Sequence, residues 1–148
     1  MQRSAWIPAF AGMTIARGAG WRHLHRKHML VPVDELRNLY GQSIEEWLAG
    51  LRLTLEDDAV SLCQIVGGAV EFRPPNEALH PLVCRALLEM LNAGGIPSEG
   101  NAAKNGWQPI AHYQGNVQQT ADHLVNHCIR KGAPPDLGDP WLVLPRNM

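Results

Sequence analysis

Two histidines four positions apart, His123 and His127, are the strongest candidates for chemistry in this sequence. On a helix this spacing places both imidazoles on one face, as two ligands of a single zinc ion require. His112 and Cys128 could complete the coordination. Leu124 follows His123, however, so the glutamate with which metalloproteases activate water is missing. Two interpretations stay open: a small zinc-dependent enzyme using His112, His123 and His127, or polar residues on an exposed helix face.

The remaining reactive residues do not favour nucleophilic catalysis. Asp122 and His123 are consecutive, and consecutive side chains on a helix point apart, so Asp122 cannot orient His123 toward Cys128 or Ser61. The chain contains no Gly-x-Ser-x-Gly sequence. All three cysteines fall in hydrophobic helical patterns, and we interpret them as structural free thiols: Cys63, Cys84 and Cys128. The main prediction is therefore no catalytic residue and no cofactor.

Acidic residues cluster at two predicted helix starts, Glu45 and Glu46 at one and residues 56–58 at the other. Capping and the helix dipole explain most of these positions. Glu45 and Glu46 could also offer a negative surface to a basic protein.

Three aromatic residues fall in segments predicted to be irregular or at a sheet edge: Trp107, Tyr113 and Trp141. Aromatic side chains in such segments either cover the core or anchor an interface. Trp107, Tyr113 and Trp141, together with Glu45 and Glu46, are therefore the candidate binding residues.

The charge distribution divides the chain. Residues 1–29 carry five basic residues and no acid, whereas residues 30–148 carry eight Lys or Arg against fourteen acids, a net charge of −6. An acidic body repels the phosphate backbone, which argues against nucleic acid as a partner. No window approaches the roughly 18 apolar residues of a membrane-spanning helix, so no membrane partner is predicted.

The stretch Ser4–Thr14, SAWIPAFAGMT, resembles the translated product of a repeat scattered between bacterial genes. This resemblance implies a bacterial source and a gene start placed too early, with Met29 as the natural start. Residues 1–28 are then a non-native or disordered basic leader, and residues 29–148 form a single globular domain. In this interpretation the leader histidines, His23, His25 and His28, bind only adventitious metal.

The hydrophobic pattern predicts elements along the domain. A first helix is expected over Val33–Tyr40. A capping box at Ser43 starts a second helix, and Thr54 starts a third that ends at Gly67-Gly68. The second half is expected to contain, in order, a strand over Ala69–Arg73, a helix from Pro81 to Gly94, a loop over Ile96–Gly106, an extended segment over Trp107–Tyr113, a helix from Asn116 to Lys131 and a strand over Trp141–Leu144. The predicted fold class is mainly α or α+β, with four or five helices and two or three short strands.

The C-terminal third reads Gly106-Trp107-x-Pro109, then a capped helix, then Pro135-Asp136-Leu137-Gly138-Asp139-x-Trp141. This resembles the closing half of small uncharacterised bacterial proteins, some of which are similar to immunity or accessory proteins of toxin systems. The resemblance implies no catalytic residue.

Taken together, these features predict a cytoplasmic, non-catalytic protein-binding module of immunity-like or regulatory type, whose partner has a basic surface. The small zinc-dependent enzyme is the alternative. A DNA-binding helix-turn-helix over Val33–Val66 ranks last, because its second helix carries Glu45, Glu46 and only Arg52.

Overall fold

The computed structural model describes residues 32–113, 115–130 and 135–148, so the predicted leader 1–28 lies outside the described residues. Within these ranges there are four α-helices and four β-strands. The helices are α1 (Ile44–Asp57), α2 (Leu62–Val70), α3 (Asn76–Asn92) and α4 (Val117–Arg130). The strands are β1 (Val60–Ser61), β2 (Ile96–Asn101), β3 (Gly106–Pro109) and β4 (Trp141–Val143). Short 3-10 turns cover Val33–Glu35, Ala111–Tyr113 and Pro145–Asn147. The predicted α+β class is confirmed, with four strands in place of two or three.

The sheet is antiparallel, and its strand order is β1-β4-β2-β3. The last strand in sequence, β4, therefore lies between β1 and β2. Leu142 of β4 pairs with Val60 on one side and Pro97 on the other, and its side chain is fully buried against the helices. The predicted C-terminal strand is confirmed, and it holds an interior place in the sheet.

Two capping boxes set the helix starts on the N-terminal side. Ser43 caps α1 reciprocally with Glu46, and Ser61 caps α2 reciprocally with Gln64. The predicted helix start at Thr54 is wrong. The helix α1 continues to Asp57, because Leu55 extends the buried stripe by another turn.

The acids of residues 56–58 consequently lie at the carboxyl end of α1, where the helix dipole disfavours negative charge. Arg146 and Asn147, which follow β4, offset this unfavourable negative charge. The Arg146 Nη2 donates to the carbonyl oxygen of Glu56 at 3.0 Å, and the Asn147 amide donates to the same oxygen at 3.3 Å. A cation and an amide therefore cap a helix end that its own sequence leaves acidic.

The predicted helix over Val33–Tyr40 is wrong, since only a 3-10 turn forms at Val33–Glu35. The predicted stop at Gly67-Gly68 is also wrong, because α2 runs on to Val70. Gly68 is where the helix meets the indole of Trp47, so this glycine permits close packing instead of ending the element.

The predicted strand over Ala69–Arg73 is replaced by the last turn of α2 and the bend after it. Phe72 is buried there, and its ring centroid lies 5.4 Å from that of Trp47. The helix α3 begins at Asn76, before the predicted start at Pro81. Burial of Leu79 in the added turn supports the earlier start, although Pro81 removes one intrahelical hydrogen bond.

The predicted loop over Ile96–Gly106 contains β2 and the turn of a hairpin with β3. One face of this hairpin carries a ladder of polar side chains: the Gln108 amide donates to Glu99, and the Asn101 amide donates to Gln108, both at 2.8 Å. The two strands are joined by polar side-chain pairs on this face. The sequence of the segment therefore lacks the apolar alternation that usually reveals a strand. Pro109 lies on the edge strand, as its missing N–H requires.

The core is one cluster of buried apolar residues drawn from all four helices, with Val60 and Leu142 from the sheet. Among the described residues, no helix combines the length and apolar character that crossing a bilayer demands.

Two adjacent glycines of α2 give a matched test of this packing. A Cβ built on Gly68 would lie 2.5 Å from Nε1 of the buried Trp47, whereas a Cβ on Gly67 meets nothing within 4 Å. We expect Gly68→Ala to lower the free energy of unfolding by about 1–3 kcal/mol through overpacking. We expect Gly67→Ala to raise it by about 0.5–1 kcal/mol, because alanine is the better helix former. Urea denaturation of both variants measures this, and equal effects would contradict the assigned contact.

Candidate binding surface

The buried carboxylate of Asp139 organises the turn over residues 135–139. Asp139 is 8% exposed. Its Oδ2 accepts the backbone N–H of Asp136 at 2.8 Å, and its Oδ1 lies 2.8 Å from Nε2 of His127 on α4. The Asp136 side chain in turn accepts the N–H of Gly138 at 2.7 Å. The Pro-Asp-Leu-Gly-Asp sequence is therefore a turn closed by its own carboxylates and fastened to α4.

The same turn is fastened to α2 through Cys63. The Cys63 thiol donates to the carbonyl oxygen of Pro135 at 2.8 Å. Partial burial raises the pKa of this thiol, and the negative charges of Asp139 and Asp136 raise it further. Cys63 is thus a hydrogen-bond donor that favours its neutral form, the opposite of an activated nucleophile.

An apolar surface is formed by Trp141 and Trp107 together with Leu137 of this turn, and we call it the tryptophan surface. Trp141 pairs across the sheet with Ser98, and Trp107 pairs with Gly100, so both indoles project from the same face. Their ring centroids are 5.2 Å apart and their planes are inclined by 41°. Both rings are half-buried, and Leu137 is 75% exposed.

The orientation of Trp141 is fixed from the turn. Its indole Nε1–H donates to the carbonyl oxygen of Leu137 at 3.2 Å. The polar atom of the indole is thereby satisfied inside the chain, which leaves its apolar ring as the part available to a partner. Two of the predicted binding residues, Trp107 and Trp141, are therefore brought together on a preformed support.

The third predicted aromatic, Tyr113, lies elsewhere, in an open pocket of about 450 Å³. The walls of this pocket include Tyr113, Gln119, Asp122, Asn126 and two of the predicted metal ligands, His112 and His123. The Tyr113 ring contacts that of His112 at a centroid distance of 4.3 Å and meets His123 edge-on at 6.2 Å. Burial raises the pKa of Tyr113, and Cys128 and Asp139 raise it further.

The third predicted metal ligand, His127, is directed to Asp139 and away from this pocket's lining. Across residues 32–113, 115–130 and 135–148, no three His, Cys, Asp or Glu side chains are grouped so as to hold a metal ion. The structure thus brings together two of the three predicted ligands, His112 and His123, and gives the third a carboxylate partner.

Glu45 and Glu46, the predicted acidic contacts, occupy the first turn of α1. Glu46 accepts the N–H of Ser43 at 2.8 Å in the capping box. Glu45 forms an ion pair with Arg85 of α3, and Arg85 also contacts Asp34 at 3.2 Å. The side chain of Glu45 remains 68% exposed, so a surface role is compatible with its internal contact.

Sequence reasoning missed Asp139, whose role depends on His127 twelve positions earlier and on its own turn. The Asp-Leu-Gly spacing, which is typical of a side-chain-closed turn, was the available local signal. Comparison of the chain with protein-family models, curated proteins and solved structures finds no match.

The raised pKa of Cys63 predicts slow alkylation, because only the thiolate reacts with iodoacetamide. We expect Asp136→Asn to lower that pKa and to speed Cys63 alkylation at pH 8, since the amide removes a negative charge but can still accept from Gly138. Peptide mapping by mass spectrometry gives the rate for each cysteine. Cys84, whose pKa is raised by burial and by Asp122, is the internal control. An unchanged Cys63 rate would contradict the assigned charge effect.

The separation of His127 from the pocket leads us to expect less than one equivalent of zinc in the untagged full-length chain, measured by elemental analysis. The histidines at positions 23, 25 and 28 could bind metal adventitiously, so the control is a His112→Ala, His123→Ala double variant. Zinc content should be the same in both proteins. One full equivalent that disappears in the double variant would establish a metal site in the pocket.

Proposed function

We propose that this chain is a non-catalytic protein-binding module whose partner presents a basic surface. The observation that carries the proposal is the tryptophan surface. Tryptophan is enriched among the residues that dominate binding energy, and such residues act best when they are held in place before the partner arrives. Here the turn at residues 135–139 holds Trp141, and the Trp141 ring contacts that of Trp107.

The preference for a basic partner rests on charge. Residues 30–148 carry a net charge of −6, and the 135–141 segment beside the tryptophan surface contains Asp136 and Asp139 but no Lys or Arg. An acidic protein attracts a basic partner over long range and repels acidic ones. The likeness of the C-terminal sequence to small bacterial proteins of immunity or accessory type supports a regulatory role in the cytoplasm of a bacterium.

The small zinc-dependent enzyme is the second candidate, favoured by the shared pocket of His112 and His123. It would require a third ligand other than His127, or a rearrangement that frees His127 from Asp139. The tryptophan surface, by contrast, is already assembled among the described residues.

We expect Trp107→Ala and Trp141→Ala each to reduce capture of the partner from cells of the source organism by about tenfold or more, as for central interface aromatics. Immobilised full-length chain at native salt is the bait, and quantitative mass spectrometry of the captured proteins is the readout. Circular dichroism and urea unfolding establish that each variant is folded.

Leu53→Ala is the matched control, because Leu53 is 65% exposed on α1 and lies outside the tryptophan surface. It should leave capture unchanged. Recovery of no specific protein by the wild-type chain, or equal capture by the tryptophan variants, would refute the proposed function.

A further inference from the structure

Leu39 and Tyr40 are adjacent and strongly exposed, at 64% and 77%. Tyr40 is the most exposed of the large hydrophobic residues in the described part of the chain, and Leu39 is nearly as exposed as Leu53. Single exposed apolar residues are ordinary on a protein surface. Two adjacent ones at the tip of a short turn place a large apolar area where another molecule can reach it.

The turn that presents them is held by the side chain of Asn38, which is 8% exposed. Asn38 Oδ1 accepts the N–H groups of Tyr40 and Gln42, at 3.0 and 2.9 Å, and its amide donates to Gln42 Oε1 at 2.8 Å. Gly41 completes the turn with a φ of +76°, which favours glycine. The tip is therefore ordered in advance, so a partner would not have to order it on binding.

Carboxylates lie on both sides of the base of this turn. Asp34 and Glu35 precede the turn, and Glu45 and Glu46 follow it at the start of α1. The Arg37–Ser43 bridge closes the base of the turn, and Arg85 holds Asp34 and Glu45 together. With Arg37 and Arg85 counted, these four acids leave this region with a net charge of −2.

We infer that the Leu39–Tyr40 turn is a second docking surface for a basic protein partner, whose apolar side chains pack on Leu39 and Tyr40 beside lysine or arginine. The exposed pair supplies the apolar anchor, and the nearby carboxylates supply charge complementarity that selects a basic partner segment. This inference rests on the proposed function, because it names where the basic partner would be recognised. Neither Leu39 nor Tyr40 packs in the core cluster, so the pair is free to serve an interface.

The test is an NMR titration of the ¹⁵N-labelled full-length chain with a synthetic probe, the peptide Lys-Leu-Lys-Lys-Leu-Lys with blocked ends. We expect saturable amide shifts over residues 34–46 that weaken as salt is added. The same peptide with glutamate in place of lysine should produce none. We expect Tyr40→Ala to weaken binding by more than about fivefold, whereas Leu53→Ala should not change it.

Four outcomes would overturn the inference: no shifts over residues 34–46, equal binding of the two peptides, equal shifts at the second acidic group over residues 56–58, or no effect of Tyr40→Ala. Peptide-induced changes in the resonances of residues 1–31 would identify the chain's own basic segment as the occupant and would also overturn it. Shifts confined to Trp107 and Trp141 would remove the second surface but leave the proposed function standing. Failure of the wild-type chain to capture a specific protein, or equal capture by the tryptophan variants, would remove the proposed function whatever the titration shows.

Discussion

The place of β4 inside the sheet is the constraint on which the rest of the described structure depends. Val60 of β1 and Pro97 of β2 both pair with Leu142, so without β4 the sheet separates into a two-residue segment and a hairpin. Leu142 also joins the apolar cluster that unites the helices. Pairings across such long sequence separations carry a loop-closure cost, and the burial of Leu142 and its neighbours contributes to offsetting it.

That constraint explains why the turn before β4 is so strongly bonded. A strand that must enter between two others needs a fixed direction of entry, and Asp139 provides it through His127 of α4. Cys63 of α2 fastens the same turn from another side through Pro135. The tryptophan surface is a consequence of this arrangement, because the bond that orients Trp141 comes from Leu137 within the turn. The residues that support the strand and the residues that form the candidate surface therefore meet in one segment, 135–141.

The sequence allowed the locally encoded features to be predicted. The Ser43 capping box and the stripe of Ile44, Trp47 and Leu48 depend only on neighbours within one or two turns, and all of them are confirmed. Features that depend on contacts between residues far apart in the sequence could not be predicted from local patterns. Gly67-Gly68 fits the pattern of a helix stop, whereas the role of Gly68 depends on its contact with Trp47 of another helix. The hairpin looked like a loop because its polar residues satisfy one another across two strands.

The candidate site also combines features that local sequence predicts with features that depend on distant contacts. Trp107 and Trp141 were predictable as candidates from residue type, whereas their meeting depends on a strand order that no local pattern encodes. His127 was predictable as one of a helical pair, yet its actual partner is a carboxylate twelve positions away. The spacing of Leu39 and Tyr40 fits one face of the helix that is predicted over Val33–Tyr40. The side chain of Asn38 instead accepts hydrogen bonds from the backbone and holds a turn. Such side-chain bonds compete with helix formation, which is a known property of asparagine.

The cap on α1 has a consequence for how the chain comes to be folded during synthesis. The final carbonyls of this early helix are closed by Arg146 and Asn147, which leave the ribosome about ninety residues later. Until they emerge, the carboxyl end of α1 would fray, with three acids unopposed at the negative pole of its dipole. The nascent chain therefore closes the carboxyl end of α1 only with residues that are synthesised about ninety positions later.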